Sequence, residues 1–354
     1  MRLRKTTVIG TMTALVVGLT ALPAAANVMT CNNTSMTGGT INGDLRVPAG
    51  AFCILDGTTV DGNVLVAREA DLIADNTTVL GNVDVRADAY AEFVDSSVAG
   101  DVTGQAAFGH LLWDSEIGGD FTTRRSAFLL HIGGSVGGGF DVVGNVDART
   151  EALIEAVDVA GGVNTNRTDF TDVFDSTVAG DVTIARSFQG SILCDSEVDG
   201  TATFLLGVGL LDIGDDDCGA MYFGDDLVID RHDGAPVVTN SIIRGDLVCL
   251  RNATAPTLGA DVRVRGDLTG QCEGLASAAA MSTMSRSATA DADVAQDRKA
   301  AILDAIEDRR TQTERETVGA LSIEGEPVEM PESVVEDVRE SRLDEARSQA
   351  NSRR

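Results

Sequence analysis

A glycine followed by Asp or Asn and then an aliphatic residue returns along this chain at nearly fixed spacing. No other feature limits the fold as much. Gly43, Gly62, Gly81, Gly100, Gly119 and Gly138 are each 19 residues apart. After one longer step the series continues at Gly161, Gly180, Gly200, Gly224, Gly245 and Gly266. Segments such as TTVDGNVLV, TTVLGNVDV and STVAGDVTI are copies of one unit. A period of this size marks a solenoid. One coil is too small to bury its own apolar positions, and stacking supplies a continuous core.

Counting from the glycine separates inside from outside. Two residues before it stand Val60, Val79 and Val98, two after it Val64, Val83 and Val102, and seven before it Leu55, Ala74 and Phe93. Later coils repeat these choices. The apolar positions alternate with polar ones, the two-residue period of a strand, and β-branched residues dominate. The glycine is expected at a bend, chosen for its freedom in φ. Asn76, Asp95, Asp114, Asp175, Asp195 and Asn240, five residues before their glycines, mark a turn in which Asx side chains satisfy local backbone.

The predicted fold is all-β: a parallel β-helix of about 12 coils of 19 to 24 residues with a small C-terminal α-helical tail. The drift in coil length points to a right-handed β-helix over a left-handed hexapeptide one. Stacking at about 4.8 Å per coil gives a rod roughly 55 Å long.

The flanks read differently. Arg2, Arg4 and Lys5 precede an apolar run from Val8 to Leu22 and an A-x-A site at Ala24–Ala26, so residues 1–26 read as a secretory signal peptide. The solenoid is expected over 27–274 and a linker over 275–295. An acidic, helical or partly disordered tail follows over 296–354, with helical spacing at 296–317 and 331–350. The mature chain is expected to be secreted, with no membrane insertion. Net charge is −28, and losing the three leader cations makes it more negative. That argues against nucleic acid and anionic membranes as partners.

Six cysteines in an exported chain suggest disulfides. Cys194 and Cys218 share one phase in successive coils. Cys249 and Cys272 lie one coil apart, and Cys31 and Cys53 fall in the first two coils. Strand spacing fits the Cα separation of a disulfide, so the expected pairs are Cys31–Cys53, Cys194–Cys218 and Cys249–Cys272.

Chemistry-bearing motifs are sparse. There is no nucleophile motif, phosphate loop or metal triad, and no cofactor is expected. Asp215, Asp216, Asp217, Asp225 and Asp226 form the densest acidic segment. Oxygen ligands in that number suit Ca²⁺, yet their spacing matches no EF-hand or nonapeptide calcium repeat and reads better as a solvated loop. His110 and His131 fall at inward phases and are expected buried and neutral, while His232 lies in the irregular segment DRHDG. Asp120, Arg124 and Arg125 come nearest to the Asp-and-Arg groups of polysaccharide-degrading β-helices. The outward positions Leu111, Trp113, Leu130 and Ile132 should form one apolar strip, a contact surface either for a C-terminal helix or for a partner.

The V-x-G-[DN]-V stretches at 60–64, 79–83, 98–102 and 178–182 resemble the coils of bactofilins, polymer-forming β-helical proteins. The resemblance covers the solenoid. It implies a structural role, while the leader, the cysteines and the acidic tail set this chain apart from an intracellular filament. The expected function is a secreted structural or adhesive solenoid that is not an enzyme. It would act by self-association or on a cell-envelope or extracellular polymer. A carbohydrate-active β-helix enzyme, a lyase or hydrolase, is the alternative.

Overall fold

The computed structural model describes residues 27–145, 150–214, 219–259, 261–275 and 289–321, with helix side chains described at 294 and 296–311. The expected leader, the second tail helix, Asp215, Asp216, Asp217 and Cys218 lie outside the described residues.

The chain is a parallel β-solenoid. One sheet has 13 strands, running from Val28–Thr30 to Leu268–Gly270. The second sheet holds two segments of most coils, such as Tyr90–Val94 and Ser97–Val98. Pairing is parallel, and the register advances by one repeat per coil: Val83 lies between Val64 and Val102, and Phe93 between Ala74 and Leu112. The three inward phases meet in one core. Val60, Val79, Val64, Val83, Leu55 and Ala74 are all fully or almost fully buried.

Gly43 has the positive φ expected of a glycine, 113°, but in the later coils the repeat glycine is required by close approach. A Cβ on Gly81 would sit 2.5 Å from the Gly62 carbonyl oxygen, and one on Gly62 would sit equally close to that of Gly43. The coils touch backbone to backbone at this corner, so any side chain would push them apart.

The Asp or Asn after each glycine builds a second ladder. Asn63 N–H donates to Asp44 Oδ1 at 2.8 Å, Asn82 N–H to Asn63 Oδ1 at 2.9 Å, and Asp101 N–H to Asn82 Oδ1 at 2.8 Å. Each side chain thus satisfies a backbone donor of the next coil, one that the bend takes out of the sheet. The Asx turn is also present. Asn76, Asp95, Asp114, Asp175, Asp195 and Asn240 all have positive φ, between 35° and 47°, a region that Asn and Asp enter more readily than most side chains.

Inside the next turn, hydroxyls do the same work. Thr77 N–H donates to Ser96 Oγ at 3.0 Å, and Ser96 N–H to Ser115 Oγ at 3.1 Å. Disulfides Cys31–Cys53 and Cys249–Cys272 close the first and last coils, where an open solenoid frays most easily. Cys194 is disulfide-bonded as well.

One long helix, α1 (Thr289–Leu321), follows the solenoid. It starts seven residues before the expected boundary at 296, within the segment read as linker. The sequence TADADVA there carries helix-favouring alanines, and acidic residues suit a helix N-terminus.

Candidate functional site

The surface of interest is the outer side of the second sheet, where the register lines up one row of side chains: Ile73, Glu92, Leu111, Leu130, Leu153 and Asp172. Three leucines are bracketed by two carboxylates. A neighbouring row contains Trp113 beside Ile132, and a third contains Tyr90 and Phe128. These side chains form a cluster separate from the solenoid core. Leu111, Trp113, Leu130 and Ile132 therefore share one outer strip.

Helix α1 lies on this strip. Ile302 and Ile306, one turn apart, are buried in it with Leu153, Phe128 and Phe170, and Leu303 packs at the edge. Cations flank the two isoleucines at both ends. Arg298 Nη1 donates to both carboxylate oxygens of Asp172 at 2.9 and 3.0 Å, its Nη2 to the Gln189 carbonyl at 3.1 Å, and Lys299 pairs with Glu155. At the other end Arg309 bonds Asp71 at 2.6 and 2.9 Å and the Asp88 carbonyl at 2.7 Å. Arg310 pairs with Glu92, which also accepts from the Tyr90 hydroxyl at 2.8 Å. Arg298 stacks over Phe170 and Arg309 over Phe108, each 4.4 Å from the ring centroid.

The lengths agree. Asp172 and Asp71 are five strand steps apart, about 24 Å. The helix between Arg298 and Arg309 covers about 17 Å, and the two arginine side chains span the difference. The helix runs back toward the N-terminal end of the rod. Burial pushes the Asp172 carboxyl up to about 6 in spite of Arg298. Desolvation, with nearby Glu92, holds the Tyr90 phenol well above its ordinary value.

No protein-family model, curated protein or solved structure matches the chain. The site must therefore be read from its own geometry.

The other sequence candidates are placed as follows. His110 and His131 are buried in the core, edge-on to Phe121 and Phe140. His232 is buried too, although it lies in irregular chain. Asp226 Oδ1 accepts the Asp246 N–H at 2.7 Å, and Asp225 accepts the Thr201 hydroxyl at 3.3 Å. Among the described residues no group of three or more His, Cys, Asp or Glu is placed to hold a metal. Arg124 pairs with Asp141 at 3.2 Å, while Asp120 accepts the Gly139 N–H at 2.9 Å, so Asp120 belongs to the Asx ladder. A shallow groove elsewhere is lined by Asp158, Thr177, Glu197 and Asp199. Asp158 and Glu197 are two strand steps apart, about 10 Å, with Thr177 between them.

Sequence reasoning did not foresee the four ion pairs. A signal was present: Arg298-Lys299 and Arg309-Arg310 flank Ile302 and Ile306 at helical spacing. The matching acids Asp71, Glu92, Glu155 and Asp172 sit at outward phases of the first two and last two of six stacked strands.

The strip gives a direct prediction. Ile306→Glu should expel α1, since burying an isoleucine is worth about 1.5–3 kcal/mol and the glutamate adds a desolvation cost. Fluorescence of a hydrophobic dye should rise, while the solenoid's thermal unfolding stays within a few degrees. Unchanged dye binding would mean that the strip is not sealed by these contacts.

Proposed function

We propose that the chain is an exported structural β-solenoid that acts through surface contacts, by self-association or by holding a cell-envelope or extracellular polymer. The observation that carries this reading is the use of its polar residues. The repeated Asp and Asn residues hydrogen-bond the backbone of the next coil or occupy its turns. Four outer carboxylates of the second sheet, Asp71, Glu92, Glu155 and Asp172, are paired with α1. These side chains support the rod. The coil motif's resemblance to bactofilins supports an assembly role in the same way. Two disulfides fit an oxidising compartment, and no described helix is long and apolar enough to cross a membrane.

The test is to express the chain with its leader, fractionate the culture, and incubate the purified protein with isolated envelope and extracellular polysaccharide. Co-sedimentation without release of reducing ends is expected. A protein that stays soluble and liberates sugars would overturn the reading. Among the described residues, the groove of Asp158, Glu197 and Asp199 favours the enzyme alternative. If sugars are released, Asp158→Asn and Glu197→Gln should each abolish the release.

A further inference from the structure

One corner of the solenoid carries arginine where the fold does not call for it. Arg125, Arg167, Arg186, Arg231 and Arg251 each follow a strand of the 13-stranded sheet and occupy the same turn in different coils. Backbone hydrogen bonds link these turns into one file. Arg125 N–H bonds the Val143 carbonyl, Gly144 that of Asn166, and Arg167 that of Ala185. Arg186 then bonds Leu205, Leu206 bonds Asp230, and Arg231 bonds Leu250, all between 2.7 and 3.0 Å. With Gly144 and Leu206 in the two remaining coils, the file spans six strand steps, roughly 29 Å.

All five arginines are exposed, and their φ values lie between 55° and 59°. In that left-handed region Gly, Asn and Asp are the favoured residues, and a long side chain costs about 1 kcal/mol. The equivalent turns of earlier coils hold Glu69, Asp88 and Ala106, so the turn itself has no need of a cation. Arg231 and Arg251 share Asp230. Among the described residues Arg186 reaches only Asn166, at 3.4 Å. Among the described residues Arg125 and Arg167 make no ion pair. Three guanidinium groups are thus uncompensated by a carboxylate in a chain of net charge −28. Exposed Phe188 and Val208 stand two residues beyond Arg186 and Leu206, and exposed Leu250 precedes Arg251.

Resting on the surface-contact reading above, we propose that this file is a docking ridge for a linear carboxylated polysaccharide. Each free guanidinium forks onto a uronate carboxylate, a geometry that suits Arg. Phe188 and Val208 offer apolar surface to the sugar rings. A single file of cations in five of seven successive coils, one or two strand steps apart, suits a linear polymer whose carboxylates recur every one or two sugars. Dense phosphate arrays call for a broad basic face, which this acidic chain lacks.

The test is affinity electrophoresis of the full mature chain through gels containing polygalacturonate or neutral dextran, at about 0.15 M salt so that the distant negative charge is screened. DNA and phosphatidylglycerol vesicles serve as competitors. Retardation by polygalacturonate alone is expected. Arg125→Gln/Arg167→Gln/Arg186→Gln should weaken it about tenfold or more, and single Arg167→Gln should weaken it measurably. Arg68→Gln/Arg86→Gln, at arginines already paired with Glu69 and Asp84, should leave it within about twofold. Thermal melting checks that each variant is folded. Absence of retardation, equal retardation of the triple variant, or preferential competition by DNA or vesicles would overturn the ridge. Reducing ends released from a bound polymer would instead defeat the non-catalytic reading and leave the ridge standing.

Discussion

Val98→Asp is expected to lower the melting temperature by on the order of 10 °C, the effect of about 4 kcal/mol in a domain of this size. Val98 is buried, and in the register it lies between Val79 and Ile117. A carboxylate there has aliphatic neighbours above and below and no donor within the stack. It must either stay charged in an apolar medium or take up a proton. The comparison is Val94→Asp, four residues earlier. Val94 points outward, is half-buried and pairs in register with Trp113. That change should cost under about 1 kcal/mol. Differential scanning calorimetry on the two variants decides the matter. Equal losses would show that inward and outward phases are misassigned. Because neighbouring coils stabilise one another, the Val98 variant should also open locally, with hydrogen exchange fastest in the coils on either side of it.

Inside and outside were legible in the sequence because burial repeats with the coil. A strand with one buried face alternates, and the glycine supplies a phase mark from which Val60, Val64 and Leu55 can be counted inward. The same count places Leu111 beside Leu130 and Trp113 beside Ile132, since a parallel register maps equal phases onto each other. The chemistry of coil-to-coil contact was not legible in this way. Gly81 reads as a conformational choice, yet its role is steric, set by the Gly62 carbonyl at 2.5 Å from a would-be Cβ. Sequence gives spacing along the chain, and this constraint acts across it. The Asn63–Asp44 ladder was hidden for the same reason. The docking of α1 was half legible: its cations and isoleucines have helical spacing, but their partners are scattered from Asp71 to Asp172. Only the stacked register gathers them into one row.

That row explains why the strip exists at all. A rod with polar residues at every outward position would have no fixed place for a helix. Leu111, Leu130 and Leu153 supply the apolar contact. Glu92 and Asp172 at its two ends set position and direction, because each must meet an arginine. Leaving either carboxylate buried without its cation costs more than the pair itself returns. The arrangement therefore favours one placement of α1 over a slide by one coil, which would leave a buried charge unmatched.

The second large effect is expected in acid. His110 and His131 are buried, and each has an Nδ1 without a hydrogen-bond partner. Their Nε2 atoms make only long contacts, 3.4 Å to the Thr123 hydroxyl and 3.4 Å to the Ser115 carbonyl. Burial lowers His110 to about 3 and His131 to about 4, from 6.5. The folded state thus holds both rings neutral, while the unfolded chain takes up protons below pH 6.5. Their contribution to stability is complete above that pH. It falls as the pH drops toward 4 and 3, and levels off once the folded rings are protonated. At about 1.4 kcal/mol per unit for each ring, the loss near pH 4.5 is on the order of 5 kcal/mol. Asp172 works in the opposite sense. Its carboxyl is raised from 3.8 to about 6, so its contribution is complete below 3.8 and is lost as the pH rises through 6. It returns part of what the histidines lose in the same window. In the His110→Leu/His131→Leu variant, leucine fills a similar volume without a titrating ring. Urea midpoints should match wild type or exceed it near pH 7.5, and should then fall far less than wild type by pH 4.5. Parallel loss in the two proteins would place the acid sensitivity elsewhere than in these two rings.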